Sequence, residues 1–140
     1  MRSSTATRLL TATALTAATV GSLLGVAGPA AAAATVTVSL DIEVSGTSSY
    51  TGAPVNSVNV RTYDSAGRQV GGYCVVQADP GSPATERRTI TPAGGFAVSV
   101  PADGSVVGRA SGYNCWDQSS TTTTFRAGTT DATVSWHLQY

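Results

Sequence analysis

From Thr35 onward the chain is written almost wholly in a two-residue period. In TVTVSLDIEV, Val36, Val38, Leu40, Ile42 and Val44 fall on one side, and Thr37, Ser39, Asp41 and Glu43 on the other. Successive side chains of a strand point to opposite faces, so this pattern predicts a strand with one buried and one wet face. SGTSSYTGAP (45–54) breaks the alternation and reads as a loop. VNSVNVRTY (55–63) predicts a second strand, closed by DSAG, whose Asp start and Gly end suit a type I turn with a bulge. RQVGGYCVVQ (68–77) is its return strand, with a bulge or bend expected at Gly71-Gly72. ADPGSPATE (78–86), with two prolines and a glycine, predicts an exposed, stiffened loop. RRTIT and FAVSV are expected to form a hairpin around PAGG, with Phe96, Val98 and Val100 pointing inward. PADG is a further turn, and SVVGRASGYNCW a further strand. STTTTFRAG and DATVSWHLQY complete the set, with Val134, Trp136 and Leu138 sharing a face and His137 opposite. Short strands at a spacing of roughly ten residues, with no helical period, predict an all-β antiparallel sandwich of about seven to eight strands.

Residues 1–34 follow another pattern. Arg2 and Arg8 form a short positive region, and an apolar run from Leu9 to Val26 follows, diluted by Thr11, Thr13, Thr16, Thr19 and Ser22. Ala32-Ala33-Ala34 then satisfies the small-x-small rule for signal cleavage. The expectation is a secretory signal peptide over 1–34, cut after Ala34, and one β-sandwich domain over 35–140. No other segment approaches the roughly 20 apolar residues of a membrane helix. The protein is therefore expected to be secreted, with no membrane association once the signal is removed.

Charge narrows the partners. Every basic residue is arginine, and residues 35–140 keep Arg61, Arg68, Arg87, Arg88, Arg109 and Arg126 against all 8 acids of the chain. A slightly acidic surface gives no electrostatic reason to expect nucleic acid or an anionic membrane. Arginine in place of lysine, with abundant Ala, Gly, Thr and Val, fits the coding habit of a GC-rich, actinobacterial genome. A monomer is expected.

The 2 cysteines sit in similar settings, Cys74 in GGYCVVQ and Cys115 in SGYNCWDQSS. A reactive thiol, a metal ligand and half of a disulfide are the three readings. A nucleophilic Cys115 needs a base, and His137 is the only histidine. Structural zinc needs three or four Cys or His ligands, more than the chain supplies. An even pair in an exported chain is most simply a disulfide. Closing that loop is worth about 4 kcal/mol on the chain-entropy account.

The punctuation of TGAPVNSVNVRTYDSAGR, TITPAGGFAVSVPADGSVVGRASGYN and FRAGTTDATVSWHL resembles the transthyretin-like (prealbumin-like) sandwiches, over about residues 51–138. Among these it is similar to carboxypeptidase-regulatory-like domains and to the Cna protein B-type domains of bacterial surface proteins. The resemblance implies an Ig-like/prealbumin-like sandwich and, since the shared motifs are turn glycines and core alternation, it specifies fold rather than function. The departures matter. PAGG stands where the family has Asp-x-Asp-Gly, and the absence of lysine excludes the lysine–asparagine isopeptide bond of some members. A urate-pathway hydrolase of this fold needs several histidines and a C-terminal Tyr-Arg-Gly-Ser, where this chain has HLQY. An intradiol dioxygenase needs paired histidines for iron.

Few residues remain as candidates for chemistry. Asp41 and Glu43 share a strand face, but alternating acids on a wet face are ordinary, so no catalytic residues, metal or cofactor are expected. Two surfaces remain for binding. One is the aromatic group Tyr73, Tyr113 and Trp116 around the Cys74–Cys115 pair, where Trp116 is either a lid over the disulfide or a contact residue. The other is the 78–88 loop ending in Arg87 and Arg88, which could be offered to a protease. The sequence thus predicts a small secreted, non-catalytic binding protein with a protein or polysaccharide ligand, and alternatively a protease or glycosidase inhibitor acting through 78–88.

Overall fold

The computed structural model describes residues 33–77, 83–112 and 114–140. The expected signal peptide lies outside the described residues except for Ala33 and Ala34, as do Tyr113 and positions 78–82 of the proline-rich loop. Among the described residues there are eight strands and no helix: β1 Thr35–Ser45, β2 Ser57–Tyr63, β3 Gln69–Val76, β4 Arg88–Thr89, β5 Phe96–Pro101, β6 Ser105–Ser111, β7 Thr123–Arg126 and β8 Ala132–Gln139.

They form two sheets stacked as an all-β sandwich. One runs in the order β3-β2-β6-β7, antiparallel throughout. In the other, β1 is the common partner of β4, β5 and β8. The β1–β8 pair is parallel, with Leu40 opposite Val134 and Val44 opposite Leu138. Parallel pairing needs a long crossover, and the rest of the domain supplies it.

The alternation read in β1 is the one observed. Val38, Ile42 and Val44 are fully buried, and Val58, Val60, Val98, Val100 and Val106 meet them from both sheets. Trp136 of β8 lies across Gly108 of β6, where a β-carbon would come within 2.6 Å of the indole. That glycine lets the largest core side chain bridge the two layers. In β2–β3 the register shifts between Thr62 and Tyr63, opposite Gly71 and Gln69, so Val70 is the extra residue beside the glycine pair.

Two expectations are corrected. RRTIT and FAVSV do not pair with each other: β5 takes Thr35–Leu40 of β1, and β4 takes Glu43 and Val44. The PAGG turn closes through Gly95 N–H to Pro92 O, but it hands β1 from one partner to the next. At the handover Thr91 Oγ1 accepts the Ile42 N–H at 2.7 Å, doing for β1 what a ladder carbonyl would do. A strand of 11 residues offers more backbone than six-residue β5 can satisfy, so a second partner is needed. The strand expected to run to Trp116 ends at Ser111, and the cysteine stands on a turn beyond it.

Candidate functional site

The chain beyond β6 narrows into a small hairpin. Ser119 N–H donates to Ala110 O at 2.9 Å, Ser111 bridges Gln118, and Gly112 N–H donates to Asp117 O at 2.7 Å. Asn114, Cys115 and Trp116 stand at the tip. Asn114 and Cys115 both take positive φ, 44° and 65°. Such backbone persists only where its surroundings hold it, and here they do. Cys115 is bonded to Cys74 of β3 with an S–S distance of 2.08 Å. Its N–H donates to Ser57 Oγ at 3.0 Å, and Ser57 Oγ donates to Ser111 O at 3.0 Å. The pair read from the sequence as a disulfide is therefore one, and it ties the tip to the outer face of the β3-β2-β6-β7 sheet.

Trp116 follows at once, and 87% of its surface is exposed. It is not a lid over the disulfide. Next to it, Asp117 is the hub of the neighbouring loop. Its carboxylate accepts from Ser48 Oγ at 2.6 Å and from the Tyr50 N–H at 3.1 Å, and also from the Tyr140 hydroxyl. Ser48 is buried and its Oγ also accepts the Thr51 N–H at 3.0 Å, so one serine shapes the whole 48–51 turn. Hydrogen bonds from Ser48, then Tyr140, hold the Asp117 carboxyl below the ordinary aspartate range. Gly112 makes the approach possible, because a β-carbon there would fall 2.3 Å from the Ser48 Cβ. The turn so held presents Tyr50, 82% exposed. Two solvent-facing aromatics thus sit on segments joined through one carboxylate. The Tyr50–Asp117 link was not read from the sequence, where residues 67 positions apart carry no common signal.

No family model, curated protein or solved structure matches this chain.

The other expected site residues are distributed differently. Tyr73 pairs with Val60, and Cys74 with Asn59, so the two neighbours point to opposite faces of β3. Tyr73 faces inward at the sheet edge, 39% exposed, edge-on to Phe96 at 5.9 Å. It does not join Trp116, and the aromatic group expected around the disulfide is divided. Arg87 and Arg88 also part. Arg87 is exposed, 3.8 Å from Glu43. Arg88 is only 4% exposed, its guanidinium donating to Pro83 O at 2.9 Å and Val55 O at 3.0 Å. Desolvation by burial lowers its pKa. It is a core residue and not the surface contact expected of it. The signal was in the text: Arg88 shares parity with Ile90, which is buried.

On the outer face of β1 and β8, Asp41, Glu43, Arg87, Ser135 and His137 border an open depression of about 340 Å³. His137 Nε2 lies 3.1 Å from Ser45 Oγ, the reach of a base to a hydroxyl. Ser45 is buried, and Glu43, paired with His137 across β1–β8, lies 3.8 Å from Arg87. Among the described residues no group of three His, Cys, Asp or Glu side chains is placed to hold a metal ion.

Proposed function

We propose that this chain is an exported, non-catalytic binding protein with a transthyretin-like sandwich, and that it binds through the tip bearing Trp116. The carrying observation is that an 87% exposed tryptophan stands on a turn fixed by a disulfide and flanked by a carboxylate that accepts from Ser48, Tyr50 N–H and Tyr140. Covering an indole releases on the order of 4–6 kcal/mol of gross apolar burial. A tip already held in place loses little conformational freedom on binding, so more of that energy reaches the affinity. Export is supported by Arg2, Arg8 and the apolar run to Val26, together with a disulfide that persists in oxidising compartments. The inhibitor reading has lost its Arg-Arg pair, because Arg88 is buried.

The test is retention of the purified protein on a cell-wall preparation from its source organism. Trp116→Ala should reduce retention by about tenfold or more, equivalent to at least 1.4 kcal/mol, while the melting temperature stays unchanged. Equal retention of the two proteins would remove the tip from the binding surface.

A further inference from the structure

We infer that the ligand of the Trp116 tip is an uncharged polysaccharide, an inference that rests on the binding role proposed above and names its chemistry. The two segments that carry the exposed aromatics are nearly free of charged side chains. Residues 45–60 contain no acidic or basic side chain. Residues 111–125 contain one, Asp117, and its oxygens are already occupied by Ser48, Tyr50 N–H and Tyr140. The residues beside Trp116 and Tyr50 in the chain carry hydroxyls and amides instead: Ser49, Thr51, Asn114, Gln118 and Ser120.

Each half of that surface matches one half of a sugar. The flat face of a pyranose presents C–H bonds, whose positive ends meet the negative face of an aromatic ring. Its rim presents hydroxyls, which need partners that both donate and accept, and serine, threonine, asparagine and glutamine supply them. An anionic polymer would want cations beside the aromatics, and neither segment has one. Arg109 and Arg61 lie outside both segments, on the outer face of the same sheet, in the row behind the disulfide: Arg109 and Cys74 both pair with Asn59, and Arg61 donates to Asn59 Oδ1 at 3.1 Å. A protein hot spot of comparable size would add arginine or further apolar side chains to the tryptophan. Two aromatics on separate turns, tied through Asp117, also suit a chain ligand that offers one ring after another.

The experiment is depletion of the protein from solution by cellulose, chitin and starch granules in about 1 M NaCl, which screens charge to a few ångströms. The wild type should be retained on at least one of them. Trp116→Ala and Tyr50→Ala should each cut retention by about tenfold with melting temperatures unchanged. Retention that disappears in salt would overturn the inference in favour of an anionic ligand held by Arg61 and Arg109. Retention on none of the three, with Trp116-dependent retention on the cell-wall preparation intact, would overturn the uncharged-glycan inference and leave the binding role standing. Loss of Trp116 dependence on every matrix would sink both.

Discussion

Arg88 holds the backbone carbonyls of Pro83 and Val55, the second of them in a buried bond, while Arg87, one residue earlier, stands in solvent beside Glu43. Adjacent residues of one type therefore have opposite expected costs. Arg88→Ala leaves the carbonyls of Pro83 and Val55 without that donor inside the protein, and should destabilise by about 2–3 kcal/mol. Arg87→Ala removes a long, exposed ion pair and should change stability by less than about 0.5 kcal/mol. Urea unfolding of the two variants decides it, and equal midpoints would contradict the burial assigned to Arg88. The tryptophans make the same contrast. Trp136→Ala should cost about 3–5 kcal/mol by emptying the space over Gly108, whereas Trp116→Ala should stay within about 0.5 kcal/mol. Trp136 was legible from its parity with Leu138 in a regular strand. Trp116 was not, because it stands on a turn where period-two reasoning assigns no face.

The tip hairpin is the element whose stability bears on binding. Asp117 has a lowered pKa in the folded protein, so its contribution is present above the unfolded aspartate value of about 3.9 and is lost as pH falls below it. Trp116 fluorescence, isolated by difference against Trp116→Phe, should therefore show an acid transition below about pH 4 that Asp117→Asn removes. A flat profile in the wild type would mean that the carboxylate does not hold the tip. Gly112→Ala tests the same contact from the other side, since its methyl group must displace Ser48. It should loosen the tip at neutral pH and reproduce the acid form of the wild type. The hairpin that sequence placed around PAGG was misread for a related reason. Alternation reports which face a residue takes, but it says nothing of which strand lies beside it, and β1 is long enough to take both β4 and β5 as partners.

At the scale of the whole molecule, the two sheets, the core alternation and the Cys74–Cys115 link were all legible, because burial period and cysteine count are carried by local text. The parallel β1–β8 pair was not, since it joins the first and last strands across the entire domain. The disulfide is a covalent long-range tie, spanning 41 positions. Its removal should have two separable consequences. On the chain-entropy account Cys74→Ala with Cys115→Ala loses about 4 kcal/mol, a large part of the roughly 5–15 kcal/mol typical of a folded domain. The melting temperature should then fall by roughly 15–30 °C, with the sheets still formed, because their ladders and core do not depend on the sulfurs. Below that new transition the tip keeps its Asp117 bonds but loses the constraint on Cys115, so affinity should fall while Trp116 remains exposed. Calorimetry and retention on the same matrix measure the two losses independently. A drop in affinity at temperatures where the variant is fully folded would assign the disulfide to the tip as well as to the fold. Unchanged affinity would leave the hydrogen bonds of Asp117 and of the Cys115 N–H to Ser57 Oγ as the braces that the ligand feels.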